Sequence, residues 1–430
     1  MKPIFSSEIR KTANNFRIYP AQMGTQSLGN LRVRATTQNL TPIAGATVTI
    51  TSPDNPENIL EQLVTDDSGL TEVISLPAPS IDYSMEPTTV QPYANYNVDI
   101  TAPAFRPVTV NGTEVFPNVT TEQASTLILE PEPEQGALYV IPPHTLFAEY
   151  PPKIPEDEIK ATIETGEIVL QQVVIPEFVI VHDGPPDDPA AQNHYVRFRD
   201  YIKNVASSEI YATWPEATIY ANILAILSFT LNRVFTEWYR SQGYNFTITS
   251  STAYDHKWIP GRNIYDNISV LVDSVFVNYL SRPNVRQPIL TQYCDGNRVQ
   301  CPGWMTQWGS KFLGDEGYSA IEILRNFYGN SIYINTAVEV SGVPSSWPGS
   351  NLTIGSSGQN VRIIQEQLNA ISTAYPAIPR IAVDGIYGPR TAEAVRTFQS
   401  IFGLPANGIV DMPTWYKISF IYVAVTRMAE

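Results

Sequence analysis

Glu209 is the carboxylic acid whose place in the chain best suits proton transfer. It lies shortly before Trp214-Pro215, and the strongly apolar run 217–231 follows. Proline is tolerated in the first turn of a helix, so a helix is predicted to start here, with Glu209 on the turn leading into it. A carboxyl group held against apolar surroundings loses hydration, which disfavours its charged form and raises its pKa. A carboxylic acid still protonated near neutral pH can give its proton to a glycosidic oxygen. Acidic residues also favour helix starts for electrostatic reasons alone, so position by itself leaves a simple capping role open.

Further candidates lie downstream. The stretch 248–261 contains Thr252, Asp255 and His256; Asp255 is the best alternative acidic partner and His256 a hydrogen-bonding or substrate-contact residue. Tyr293 precedes Cys294, and Gln307-Trp308 could line a sugar cleft, the amide orienting an N-acetyl group and the indole stacking on a pyranose ring. Trp304, Met305 and Trp308 equally suit a core. One imidazole cannot assemble a tetrahedral zinc site, and Cys294 and Cys301 lack the usual ligand spacing, so no metal or other cofactor is expected. The same two cysteines either close one loop or remain thiols; two alone make no disulfide framework.

The chain has 430 residues and a formal net charge of −15. That length gives room for several domains, and the charge disfavours nucleic acid and anionic membranes as partners. The apolar run 217–231 is interrupted by Asn222, Ser228 and Thr230, short of the roughly 18 uninterrupted apolar residues of a spanning helix. The opening M-K-P-I-F-S-S-E-I-R has no apolar core, so no secretory signal is expected.

The predicted fold class is multidomain α+β. Leu31-Val33-Ala35, Ala46-Val48-Ile50 and Tyr96-Val98-Ile100 alternate at period two between turn signals, predicting an N-terminal β-sandwich over 1–130. A proline-rich linker is predicted over 131–172, extended, exposed and open to proteolysis. A central α+β catalytic domain over 173–340 should carry Glu209. A small helical bundle over 350–425 follows, with Val361, Ile364 and Leu368 on one helix face and Thr391, Ala394, Val395 and Phe398 on another. Asp384-Gly385 and Tyr387-Gly388 punctuate the turn between these helices, and Trp415 closes the unit.

Residues 355–418 carry G-S-S-G-Q-N-V-R-I-I-Q-E-Q-L-N, V-D-G-I-Y-G-P-R-T-A-E-A-V-R-T-F-Q and F-G-L-P-A-N-G-I-V-D-M-P-T-W in order. This resembles the peptidoglycan-binding domain of cell-wall enzymes. The resemblance implies a wall-binding groove near Asp384, Tyr387, Phe398 and Trp415. The P-I-A-G-A-T-V-T-I and V-T-D-D-S-G-L-T segments resemble β-sandwich domains appended to carboxypeptidases, which implies an accessory or pro-region role.

The blocks 201–229 (with Glu209, Trp214-Pro215 and Ala221-Asn222) and 303–329 (with G-W-M-T-Q-W-G-S and a later Gly-Tyr) resemble the stage II sporulation protein D family of lytic transglycosylases. Leu227 and Ala217 stand where that family often has arginine and glutamate. The resemblance implies Glu209 as the catalytic acid/base. The order of modules is similar to that of the clostridial spore cortex-lytic enzymes of germination. It implies a zymogen in the cortex and coat region of the spore, acting on cortex peptidoglycan. A subtilisin-like serine protease would activate it by cutting between Leu170 and Ile175. A muramidase, an N-acetylmuramoyl-L-alanine amidase and a non-catalytic wall-binding morphogenetic protein are the rival readings.

Overall fold

The computed structural model describes residues 27–130, 136–160 and 172–426. The start of the expected 1–130 unit, and part of the expected cleavage stretch, lie outside the described residues.

The period-two segments form strands. Strands β1 (Ser27–Thr36), β2 (Thr47–Ser52), β3 (Asn55–Val64), β4 (Ile74–Ala78), β5 (Ala94–Thr101), β6 (Val108–Val115), β7 (Thr120–Thr126) and β8 (Ala137–Val140) build two sheets. One has the order β3-β2-β5-β6-β8; in the other, β7-β1-β4 is extended by a further strand. Inward residues of both sheets, among them Leu31, Val33, Val48, Ile50, Val98, Ile100 and Val110, share one core. The alternation places these residues on the inner faces, where burial is the main stabilising term.

Two features tie this sandwich to the rest. Residues Ile264–Tyr265 form the added strand, antiparallel to β7. Glu114 on β6 is buried against Arg262, whose Nη2 donates to its Oε2 at 2.6 Å.

A second observation concerns Glu122 on β7. Arg32 and Arg34 of β1 both grip its carboxylate, with Nε–O distances of 3.1 and 2.8 Å. Burial pushes its pKa up, but the two guanidiniums prevail and hold it down to about 2, from 4.5. A depressed folded value means stability is complete above pH 4.5 and is lost as pH falls through about 2. Thermal melts of Glu122→Gln should therefore lie below those of the parent near neutrality. The two should converge as pH approaches 2; a pH-independent gap would count against this pairing.

The described part of the central region holds α1 (Phe198–Glu209), α2 (Glu216–Phe235), α3 (Asp266–Val275), α4 (Gln307–Asp315) and α5 (Ala320–Tyr328), with short strands between them. Helix α2 is long and apolar enough to cross a membrane, yet 89% of its most apolar window is buried inside the fold. Its polar interruptions explain how it sits there. Asn222 donates to Ser310, Ser228 accepts from the Leu280 N–H, and Thr230 bonds back to the Ile226 carbonyl. A buried hydroxyl or amide is tolerated when paired in this way.

The helical unit comprises α6 (Gln359–Ala374), α7 (Pro389–Ile401) and α8 (Met412–Thr426). It contains an internal repeat. Gln365 donates to Asp384, the Ile386 carbonyl and Thr391, and accepts from the Gly385 N–H. Gln399 does the same with Asn407, the Ile409 carbonyl, Thr414 and the Gly408 N–H. Gly385 and Gly408 have φ of 75° and 72°, a region that favours glycine. The unit docks on both neighbours: Arg34 donates to the Ile401 carbonyl at 2.6 Å, and Lys417 lies 3.7 Å from Asp273 in the central region.

The proline-rich stretch differs from the expected exposed linker. Its first described part holds β8, paired parallel to β6. Residues 141–160 then run as an extended strap over the central region, with His144, Leu146, Tyr150, Lys153 and Lys160 buried. Proline keeps the strap extended, while the Thr145, Ile154, Glu156 and Lys160 N–H groups find partners in the central region. Residues 161–171 lie outside the described set.

Candidate active site

Glu209 is the last residue of α1, not only a residue ahead of α2. The spacing Phe198, Tyr201, Ile202, Val205 gives α1 an inward apolar face, and all four are buried. The loop carrying Lys257 is clamped to this helix. Asn204 donates to the Ile259 carbonyl at 2.8 Å and accepts from the Ile259 N–H at 2.9 Å. That clamp aims the Lys257 N–H at the Glu209 Oε1, 2.5 Å away. The Tyr293 hydroxyl donates to the other carboxyl oxygen.

The Glu209 side chain is fully buried. Burial raises its pKa, opposed in turn by the nearby Lys153 cation, by the Tyr293 hydroxyl and by the Lys257 N–H. Its place at a helix C-terminus, where carbonyls cluster, also disfavours a carboxylate. This environment favours the protonated acid that glycosidic cleavage requires.

Tyr293 lies in a short strand, Tyr293–Cys294, paired parallel to Met305–Thr306, which leads into α4. Cys294 and Cys301 are disulfide-bonded and close the loop between these strands. Thr306 caps α4 by accepting from the Gly309 N–H at 3.1 Å. The staple and the cap bring Gln307 to the end of α1, where its Nε2 donates to the Glu209 carbonyl at 2.9 Å. The Gln307 Oε1 is buried with no protein partner.

His256 packs between Phe229 and Tyr293, with ring centroids 4.5 and 5.8 Å away. Its Nδ1 lies 3.1 Å from the Tyr201 hydroxyl, and its Nε2 is buried and unpartnered. Burial, with Lys153 and Arg233 nearby, pushes its pKa well down, so the ring is neutral. Glu209, Tyr293, His256 and Gln307 thus form one cluster.

Other sequence candidates sit elsewhere or serve the fold. Asp255 is buried and locked by Arg233 on Oδ1 and by Tyr239 and Thr249 on Oδ2, a structural ion pair and not a free carboxylate. Trp308 is 3% exposed and meets the edges of Trp214 and Tyr211 at 5.0 and 6.0 Å, so it is core and not a stacking platform here. Thr252 is buried in the turn above Asp255. In the helical unit, Tyr387, Phe398 and Trp415 are core residues. Asp384 is exposed, alongside Arg362 and Ile386. Indole and phenyl rings suit sugar stacking, but here helix packing buries them.

Lys153 was missed by sequence reasoning. Its ammonium donates to the Asp255 carbonyl and lies 4.5 Å from the Tyr293 ring centroid. It belongs to the strap, and its charge acts on the buried Glu209 carboxyl. No local signal marks it: a lysine among prolines looks like a solvated linker residue.

Residues 357–418 match the model of the peptidoglycan-binding domain family. The C-terminal region therefore carries a peptidoglycan-binding domain. The zinc D-Ala-D-Ala carboxypeptidase of Streptomyces albus G is 42% identical over 74 residues, 17% of this chain and 27% of that protein. The N-acetylmuramoyl-L-alanine amidase CwlL of Bacillus licheniformis is 44% identical over 63 residues, 14% of this chain and 17% of that protein. The chain thus spans only a minor part of these relatives. A mutant type II cohesin–X-dockerin complex from Acetivibrio cellulolyticus matches 22% of this chain and 51% of its own chain, at 18% identity and a TM-score of 0.15, too low to bear on the fold.

Proposed function

We propose that this chain is a peptidoglycan-lytic enzyme that cleaves glycan strands by lytic transglycosylation. One observation carries the reading: a single buried carboxyl group, its pKa raised, positioned by Lys257 and Tyr293 at the end of a rigid helix. Glu209 gives its proton to the oxygen bridging C1 of N-acetylmuramic acid to the next sugar, and that bond breaks. The C6 hydroxyl of the same muramic residue attacks C1, and the Glu209 carboxylate takes the hydroxyl proton. The product is a 1,6-anhydro end, and no water is consumed. One carboxyl serves both roles, whereas glycosidases that use water or a covalent intermediate normally need a second, about 5–9.5 Å away. Asp255, locked in a fully buried ion pair with Arg233, is not that second group.

The C-terminal domain holds the enzyme on its polymer and raises the local substrate concentration. The uncut chain is latent because the strap covers Glu209. The order of modules, similar to that of the clostridial spore cortex-lytic enzymes, supports a site of action in the spore, in the cortex and coat region, with cortex peptidoglycan degraded at germination. Activation there is a cut by a subtilisin-like serine protease between Leu170 and Ile175. Such a cut separates the sandwich and strap from the catalytic region in sequence. A cut ahead of Val174 leaves the Val174–Ile175 strand paired with Glu339–Val340.

Mass spectrometry of digested cortex tests the reaction. Muropeptides ending in anhydro-muramic acid, lighter by one water than reducing ends, are the expected products. Reducing muramic ends would mean a muramidase, and released stem peptides an amidase. Unaltered cortex after processing would mean a binding protein.

A further inference from the structure

Residues 154–160 of the strap are held by two glutamine side chains, each using both halves of its amide. Gln292 Nε2 donates to the Ile154 carbonyl at 2.8 Å, while its Oε1 accepts from the Glu156 N–H at 2.9 Å. Gln287 Oε1 accepts from the Lys160 N–H at 3.0 Å, and its Nε2 donates to the Lys160 carbonyl at 2.9 Å. Both glutamines are buried. The strap thus satisfies, with main-chain amides, a row of buried polar groups that begins beside Glu209.

A primary amide that donates to a C=O and accepts from an N–H is complementary to any secondary amide. The acetamido group of an amino sugar is one. We propose that the groove beneath residues 141–160 is the cleft for the glycan strand, that Gln292 and Gln287 recognise its acetamido groups, and that Lys153 occupies the place of the reacting sugar. The inference rests on the glycan-cleaving reading of Glu209.

Three observations favour a ligand groove over a permanent domain contact. Lys153 is a buried cation set between Glu209 and the Asp255 carbonyl, and burial lowers its pKa. Gln307 Oε1 and His256 Nε2, in the cluster around Glu209, are buried without protein partners although the strap is in place. Buried polar groups left unpaired cost about 1–3 kcal/mol each, so these positions suit a ligand richer in polar atoms than the strap. The strap's acidic contacts also lie toward its end: Glu158 meets Arg282 at 2.7 Å near the surface, and Glu156 meets Arg233 at 2.6 Å. The closure therefore hangs on a few pairs that a competing ligand can replace one by one.

The test uses the full chain carrying Glu209→Gln, to prevent turnover, with Lys153→Ala and Glu158→Ala to loosen the strap. The probes are soluble, peptide-free peptidoglycan glycan strands and the same strands after N-deacetylation. Hydrogen exchange of residues 141–160 is the readout, because binding at the C-terminal domain alone leaves it unmoved. Acetylated strands should speed strap exchange at least tenfold, and deacetylated strands should not. Adding Gln292→Ala should raise the strand concentration needed for half-effect by about 5- to 150-fold, the equivalent of one buried amide bond. Bound strands with unchanged strap exchange would place the cleft elsewhere and overturn the proposal. An equal response to deacetylated strands would overturn the role of the glutamines. If the triple variant does not fold, Glu158→Ala with Glu209→Gln alone, at a half-exposed pair, gives the same comparison. The readout is displacement and not chemistry, so products lacking anhydro ends would sink the transglycosylase reading and leave this one standing.

Discussion

Glu209→Gln in the proteolytically processed protein should reduce cortex lysis by about 10²–10⁴-fold, the usual contribution of a positioned acid/base group. Wall binding should persist, because the peptidoglycan-binding domain lies in a separate helical unit. The substitution should not unfold the chain. Glutamine keeps an oxygen for the Lys257 N–H, and its amide can donate to the Tyr293 hydroxyl, which also accepts. Removing a buried ionisable group further spares its desolvation. The pH profile carries the sign of the mechanism. The reaction needs the protonated acid, and burial raises the Glu209 pKa. Activity should therefore hold above the ordinary carboxylate range and fall as pH rises through the raised value. Unchanged lysis by the Gln variant, with wild-type melting, would remove Glu209 from the mechanism.

The strap alters this balance in two opposing ways. Lys153 favours the carboxylate while the strap is closed. Its departure removes that stabilisation but admits water, which favours the charged form again. A sugar filling the cleft restores the dry environment without the cation. Glu209 is thus a stronger candidate acid in the substrate complex than in the open, unliganded protein; with the strap closed, burial outweighs Lys153 and the acid stays protonated but covered.

Local pattern made part of this legible. The Trp214-Pro215 step and the apolar run behind it fixed the start of α2, and period-two alternation located β1, β2 and β5. The helix ending in Glu209 was also readable, since Phe198, Tyr201, Ile202 and Val205 recur at helical spacing. So was the paired Gln365/Asp384-Gly385-Ile386 and Gln399/Asn407-Gly408-Ile409 motif. The strap was not. Its composition marks an exposed extended chain, and nothing local reveals that Gln287 and Gln292, well over a hundred residues away, hold its amides. Trp308 and Phe398 failed for a related reason: residue type suggests sugar contact, but long-range packing decides whether the ring reaches solvent.

Asp255 gives the sharpest contrast between a chemical and a structural role. It was the best second carboxylate by sequence, yet its Oδ1 accepts from Arg233 Nε at 2.7 Å, and its Oδ2 accepts from the Tyr239 hydroxyl at 2.7 Å and from Thr249 N–H at 2.9 Å. Both charged side chains are fully buried. Breaking a buried pair by removing one partner strands the other charge in a poorly polarisable interior, at about 3–5 kcal/mol. Glu156 relieves only part of this, because it contacts the other guanidinium nitrogens from the strap. Asp255→Ala should therefore lower the denaturation midpoint by an amount equivalent to about 3–5 kcal/mol. The loss should be larger in the processed protein, once the strap and Glu156 have left. Below the melting range, any folded fraction should bind glycan with the affinity of the parent. A folded variant of unchanged stability but weakened substrate affinity would reverse the assignment and return Asp255 to the cleft.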